Sequence, residues 1–255
     1  MTPAHLGFAL FQPYAGTVRH AIFTRHGGVS VAPFHSLNVS YSVGDVMESV
    51  AENRRRCAAA LGISLPALIT AGLVHGACVA NVAAVPADTL PDGSRIVRDV
   101  DALITDQPEN GLLITAADCL QVLLFDPRRP AIGLAHAGWR GLVANVLGAT
   151  VQAMEDAYGS DPSALVAGIG PGLGPCCARF SDPARELPER FKRYVRDRHV
   201  DLWTAAHDQL RAAGMRAAHI EQQAICTVCR RDRFFSHRGD QGRTGRFAAI
   251  IALTG

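Results

Sequence analysis

Polar and apolar positions along the chain mark out a series of short strands with few helices between them. "RHAIFTR" (19–25) alternates well enough for a strand, and the glycines of "HGGVS" supply the loop after it. In the middle of the chain four apolar runs stand close together. They are "DALIT" (101–105), "GLLITAA" (111–117), "LQVLLFD" (120–126) and "AIGLAHA" (131–137), each bounded by turn residues. Runs this continuous have no polar face, so they predict strands covered on both sides. Further strands are predicted at "ALVAGIG" (164–170) and "GRFAAIIAL" (245–253).

Helical spacing appears at Val50, Cys57, Ala58 and Leu61, introduced by Asp45 and Glu48 at capping-box spacing and closed by Gly62. From Leu142, the positions Val146, Thr150 and Met154 share a helix face that ends near Gly159. Two later helices are expected around 183–197 and 201–213, with the cationic run "RFKRYVRDRH" (190–199) as a solvated helix face. Strands follow strands as often as they follow helices. The pattern therefore predicts an α/β (α+β) chain of mixed β-sheets covered by helices.

Composition narrows the picture. The 255 residues contain no internal repeat and no long linker, so residues 1–255 are expected to form a single domain. A net charge of +2 gives no electrostatic reason to bind nucleic acid or a membrane surface. No run approaches the roughly 18 unbroken apolar residues of a membrane span, and "MTPAHLGFALFQPYAG" lacks the basic start of a signal peptide. Seven cysteines, an odd number in a chain too long to need disulfide staples, point to a reducing, cytoplasmic setting.

Three residues carry the candidate chemistry: His75 in "LVHGACV", Cys119 in "TAADCLQVLL" and His136 in "GLAHAGWRG". Each lies at or beside a strand end, too far apart in sequence for the local spacing of a zinc finger, so only the fold can unite them. Imidazole and thiolate suit zinc or copper, and three protein ligands leave a fourth position open. Equally, Cys119 suits a nucleophile with His136 as its base, and spacing leaves both readings open. The neighbouring Asp118 is a candidate to orient a histidine or to accept a proton. Gly138 and Gly141 flank Trp139 and Arg140, which marks backbone that something approaches closely.

Arg25, just before two glycines, suits bidentate phosphate binding or a surface salt bridge. Asn38 and Ser36 suit either a ribose or purine contact or a cap on their own loop. Arg140 is placed to meet phosphate near a helix start or to brace the sheet rim. Phe235 to Arg238 offer an aromatic and a cation. Cys226 and Cys229 form a CxxC without a partner pair at suitable spacing. The adjacent Cys176 and Cys177 make a poor chelate, so both pairs read as packing.

Taken in order, "FTRHGGVSVAPFHSLNVSYSVGD", "NRRR", "VHG", "DALIT", "ADCLQVLLFD", "GLAHAGWRG", "GIGPG" and "FFSHRGDQGRTGRFAAI" resemble the YfiH or laccase-domain family, also called multicopper polyphenol oxidase. The resemblance runs from about residue 20 to 251. It implies a four-layer α/β/β/α sandwich and a zinc-dependent purine nucleoside phosphorylase with adenosine deaminase activity. The implied metal ligands are His75, Cys119 and His136, holding zinc, with copper as the other option. Asp118 joins them as a catalytic residue, and Arg25, Asn38, Arg140 and Arg238 are the expected substrate contacts. On this reading the glycines after His136 let substrate near it. The implied partners are a purine nucleoside (adenosine, inosine or methylthioadenosine) and phosphate, with no nucleic acid or membrane. The expected state is a monomer or weak homodimer.

Two rival readings stand beside it. A Cys-His hydrolase acting on an amide, as in peptidoglycan precursor editing, would need Cys119 free of metal. A copper polyphenol oxidoreductase would need several coppers and H-x-H pairs, which the sequence lacks. The chain also departs from the family pattern: it has Leu73 where Gln is usual and Gln121 where Pro is usual. "PCCARF" lacks the customary Tyr-Glu, which bears on one pocket wall.

Overall fold

The computed structural model describes residues 3–254. Strands β1 (His5–Leu6) and β2 (Val18–Phe23) precede helix α1 (Met47–Ala60). A strand-rich stretch follows: β3 (Leu68–Gly72), β4 (Val79–Asn81), β5 (Asp88–Thr89), β6 (Arg95–Arg98), β7 (Ala102–Thr105), β8 (Gly111–Ala116), β9 (Leu120–Asp126) and β10 (Ala131–Ala137). Then come α2 (Trp139–Val143), α3 (Val146–Tyr158), β11 (Val166–Ile169) and α4 (Pro183–Glu186). The chain closes with β12 (Val195–Arg196), β13 (His199–Val200), α5 (Leu202–Ala212), β14 (Ile220–Gln222) and β15 (Phe247–Leu253).

Two mixed sheets result, one of seven strands in the order β1-β2-β15-β8-β3-β6-β5 and one of six in the order β14-β11-β9-β10-β7-β4. In the first, β15 runs antiparallel to β2 and β8 while β3 is parallel to β8 and β6. In the second, β10 is antiparallel to β9 and β7, and β4 and β14 attach in parallel.

The double burial expected of the apolar runs has a direct cause. Successive side chains of a strand point to opposite faces. On β9, Leu123 and Phe125 meet Leu134 of β10 and Ile114, Phe247 and Ile251 of the other sheet in the inter-sheet core. Its alternate residues Leu120, Val122 and Leu124 pack under Val146, Leu147 and Met154 of α3 and Leu210 of α5. On the far side of the first sheet, Leu113, Ala248 and Ile250 pack under Cys57 and Ala58 of α1. The layers are thus α/β/β/α. Gly133 lets α3 settle close to the sheet, since a Cβ there would lie 3.1 Å from Met154 Sδ. Among the described residues no helix is long and apolar enough to cross a membrane.

Several local expectations give way. The Asp45–Glu48 capping box does not form, because the Asp45 carboxylate accepts instead from Ser30 Oγ at 2.6 Å and Asn38 Nδ2 at 2.8 Å. The helix expected from Leu142 is broken at Asn145 (φ 65°), giving α2 and α3. Around 183–197 only α4 and a 3-10 turn over Glu189–Tyr194 form before a β12–β13 hairpin. Pro188 separates the two, lacking the N–H that would continue a helix. Phe191 and Tyr194 are nonetheless buried, as their spacing suggests.

Candidate metal centre and its cavity

His75 lies in the loop after β3, Cys119 immediately before β9, and His136 near the end of β10. The antiparallel register of β9 and β10 pairs Ala137 with Leu120 and His136 with Gln121, so Cys119 falls beside the backbone just beyond β10. His75 arrives from the other sheet. One donor atom from each of the three lies within 4.8 Å of the others. The two imidazole rings are 4.9 Å apart and nearly perpendicular, at 86°.

Gly138 makes this convergence possible. Its φ of −70° is open to any residue, but a Cβ there would sit 2.8 Å from Cys119 Sγ and 3.5 Å from His75 Cδ2. The space beside Trp139 is thus reserved for the protein's own sulfur and imidazole. Gly141 likewise faces the Gly76 carbonyl, 3.0 Å from where its Cβ would be. The expectation that these glycines admit substrate gives way to an internal reason.

Asp101 organises the two histidines. Fully buried at the start of β7, its carboxylate accepts from His136 Nδ1 at 3.0 Å, from the His75 amide at 2.9 Å and from the Gly76 amide at 2.6 Å. Its backbone carbonyl accepts from the His136 amide at 2.7 Å. A carboxylate only accepts, so Nδ1 of His136 carries the hydrogen and Nε2 is free to ligate. Burial would raise the Asp101 pKa, but the bonds from His136, Gly76 and His75 outweigh it and hold the carboxyl below its ordinary value. His75 itself sits at φ 62°, a left-handed conformation held by these bonds.

Cys119 is half-buried, and its electrostatics follow from the same neighbours. Burial favours the neutral thiol, yet the charge and hydrogen bond of His136 and the bond to His75 prevail, pulling it down to about 6. Burial pushes His136 the other way from Cys119 and Asp101, which win and raise it. Without a metal, both shifts favour moving the thiol proton onto the imidazole.

Asp118 was expected to orient a histidine or take a proton, but its bonds run elsewhere. Oδ1 accepts from Thr227 Oγ1 and Ser236 Oγ, both at 2.6 Å, and Oδ2 accepts from the Arg238 amide at 2.6 Å. At φ 92° it braces the segment that carries His237 and Arg238.

The triad and Asp118 open onto a cavity of about 720 Å³. Arg98, Arg140, Arg238 and Arg246 line it, with Leu173 and Leu202 among the apolar walls. The Arg140 guanidinium lies 4.3 Å over the Trp139 ring. Burial lowers the Arg246 pKa against the pull of Cys119 and Asp118, which marks how close this cation is to the triad. Arg54 also borders the cavity, but it is spent on Asp92 at 2.7 Å, Thr70 at 2.6 Å and Ser94 at 2.8 Å.

Two expected substrate contacts do not line this cavity. Arg25 donates to the carbonyls of His35 and Arg231 and lies 4.6 Å over Phe235. Asn38 is fully buried, with bonds to Ser40, Asp45 and the Arg246 amide, so it caps its own loop. Gln121, in place of the usual Pro, donates to the Cys119 and Pro171 carbonyls and so ties the start of β9 to the loop after β11. Sequence reasoning missed Asp101, Arg98 and Arg246. The one available signal for Asp101 was a carboxylate opening an otherwise apolar strand.

The cysteine pairs are not buried packing. Cys226 is buried and Cys177 half-buried, but Cys176 and Cys229 are exposed, and the four thiols cluster within 4.8 Å of one another.

Residues 19–254 match the family model described as multi-copper polyphenol oxidoreductase laccase. The chain is 37% identical to the purine nucleoside phosphorylase YlmD of Geobacillus stearothermophilus, over 94% of this chain and 91% of that one. It is 35% identical to a purine nucleoside phosphorylase of Deinococcus radiodurans, over 97% and 94%. Among solved structures, it superposes on the hypothetical protein YfiH of Bacillus licheniformis with a TM-score of 0.86, covering 99% of this chain and 97% of that one at 30% identity. For YlmD from Geobacillus stearothermophilus the TM-score is 0.83 at 34% identity, covering 95% and 94%.

Proposed function

The chain belongs to the multi-copper polyphenol oxidoreductase laccase family, and we propose that within it this protein is a zinc-dependent purine nucleoside phosphorylase that also deaminates adenosine. The carrying observation is a two-histidine, one-thiolate donor set in the wall of a cavity lined by five arginines, four of them besides the ion-paired Arg54. The names of the relatives supply the reaction class. The substrates are adenosine, inosine and methylthioadenosine. Seven free cysteines suit the reducing cytoplasm, where the protein works as a monomer or weak homodimer.

The donor chemistry fits zinc: His75, Cys119 and His136 would hold it and leave a fourth position facing the cavity. Zinc bound there supplies a Lewis acid beside the substrate. In phosphorolysis a phosphate oxygen attacks the anomeric carbon as the bond to the purine breaks and its electron pair leaves with the base. Arg140, Arg238 and Arg246 neutralise the phosphate and hold it in line, a positioning task that guanidinium forks perform well. Leu173 and Leu202 give the purine an apolar wall. Asp118, by fixing the Arg238 backbone, positions one of those cations. Deamination uses the same cavity with adenine C6 as the reacting centre: water adds there, the exocyclic C–N bond breaks, and the amine leaves as ammonia.

The test supplies purified protein with inosine at graded phosphate. Release of hypoxanthine and ribose 1-phosphate in proportion to phosphate is expected, with conversion of adenosine to inosine needing none. Phosphate-independent turnover of inosine would overturn the assignment. Elemental analysis decides between zinc and copper, and a His2Cys copper(II) site would also be visibly coloured.

A second reading has its own observation. The opposed shifts of Cys119 and His136 favour a thiolate beside an imidazolium, as a cysteine nucleophile requires, and support a Cys-His hydrolase acting on an amide. It predicts activity that survives chelation and is abolished by alkylating Cys119. The zinc reading predicts loss on chelation.

A further inference from the structure

The loops that follow β11 and β14 leave the sheet side by side, because the two strands pair in parallel. A further parallel bridge between Gly172 and Cys226 carries this pairing past the strand ends. The Gly172 amide donates to the Ile225 carbonyl at 3.1 Å, and the Thr227 amide donates back to the Gly172 carbonyl at 3.1 Å. Beyond that point each chain turns. One turn presents Cys176 and Cys177, the other Cys226 and Cys229. The CxxC turn is closed by the Arg230 amide donating to the Cys226 carbonyl at 2.9 Å.

The sulfur spacing separates the possible uses of this cluster. Cys229 Sγ lies 3.6 Å from Cys176 Sγ and 3.7 Å from Cys177 Sγ, and all four sulfurs fall within 4.8 Å. A disulfide needs about 2.05 Å. A tetrahedral zinc site with bonds of about 2.3 Å puts its sulfurs about 3.8 Å apart. The observed edges match the second figure. Adjacent cysteines chelate poorly when both must reach from an extended segment. Here residues 175–177 form a turn, with the Cys177 and Ala178 amides both bonded to the Gly174 carbonyl at 2.9 Å, and both thiols approach Cys229. Gly174 completes the fit, as a Cβ there would lie 2.8 Å from Trp203 and 3.0 Å from Cys226 Cβ.

We infer that Cys176, Cys177, Cys226 and Cys229 bind a second, structural zinc ion, separate from the triad and closed to substrate. Binding turns thiols into thiolates and releases their protons to solvent, with no oxidant required. The ion joins two loops that both serve the cavity. Leu173, whose amide donates to the Asp118 carbonyl at 2.7 Å, precedes the first pair, and His237 and Arg238 follow the second.

The test is metal counting on full-length protein purified under reducing conditions, before and after dialysis against zinc. Wild type should hold two zinc ions per chain. Cys119→Ser should hold one, and so should the Cys176→Ser/Cys229→Ser double variant, whose replaced side chains are exposed and leave the core intact. Cobalt substitution gives an independent readout: the intense bands of a four-thiolate tetrahedral site should persist in Cys119→Ser, and the double variant should retain only the weaker single-thiolate bands of the triad. Unchanged metal content and cobalt bands in the double variant would overturn the inference. So would a metal-free wild-type cluster that mass spectrometry finds joined as disulfides. Loss of the triad's zinc alone would leave one ion in wild type and in Cys119→Ser, so failure of the triad assignment reads differently.

Discussion

Replacing Asp101 by Asn tests the claim that one buried carboxylate holds both histidines in place. Asn keeps the shape but offers a single acceptor oxygen and a donor where the second oxygen was. If its oxygen replaces Oδ1, the bonds from His136 Nδ1 and the His75 amide survive without charge assistance, and its NH2 faces the Gly76 amide. One buried donor then loses its partner, at about 1–3 kcal/mol, and two charge-assisted bonds fall to neutral strength, at about 1 kcal/mol each. The sum is about 3–5 kcal/mol. It should appear in metal-free protein as a lower midpoint in urea with an unchanged slope. Zinc affinity, read by competition with a chromophoric chelator, should fall about 10–100-fold, because the His136 imidazole loses its charged partner. Stability within 1 kcal/mol of wild type, together with zinc affinity within about twofold, would refute Asp101 as the anchor.

Other outcomes follow from single contacts. Gly138→Ala, with its Cβ forced against Cys119 Sγ at 2.8 Å, should weaken zinc binding by about tenfold, and chelator competition showing wild-type affinity would mean the sulfur is elsewhere. Arg25→Ala should lower thermal stability while changing phosphorolysis and deamination alike, since Arg25 braces the His35 and Arg231 carbonyls outside the cavity; a selective loss of phosphorolysis would return it to the phosphate site. His20 gives a pH signature: burial against Phe8 and Phe11 lowers its pKa from 6.5 to about 4 in the fold. The unfolded chain therefore binds the extra proton between these values, so the contribution is full above about pH 6.5 and fades as pH falls towards 4. After discounting for partial exposure this amounts to on the order of 2 kcal/mol, and denaturant curves of wild type and His20→Gln should converge by that much from pH 7 to 4; parallel pH profiles would refute it.

What could be read from the sequence was whatever depends on local periodicity. β9 and β10 fall where their unbroken apolar runs lie, because a strand buried on both faces leaves no other pattern. The convergence of His75, Cys119 and His136 was foreseeable as a possibility, since strand ends of one core can meet. Asp101 was not, because its worth lies in three donors contributed by residues 25 to 35 positions away. The cysteine cluster was hidden for a related reason. Spacing along the chain says nothing about two loops that a parallel strand pair delivers to one place. At Asp45 the local capping rule gave way to buried bonds with Ser30 and Asn38, while Asn38 caps its own loop as its residue type allows.

The triad draws its members from both sheets: His75 follows a strand of the seven-stranded sheet, whereas Cys119 and His136 flank β9 and end β10 of the other. An ion held by all three would be a rivet through the sandwich, bound only while the two sheets are docked. Its affinity would then add to the cohesion of the whole molecule by mass action, about 4 kcal/mol when free metal stands a thousandfold above its dissociation constant. Metal availability would govern the lifetime of the protein as well as its activity. A chain starved of metal would lose that added cohesion across the core that Ile114 and Leu123 share.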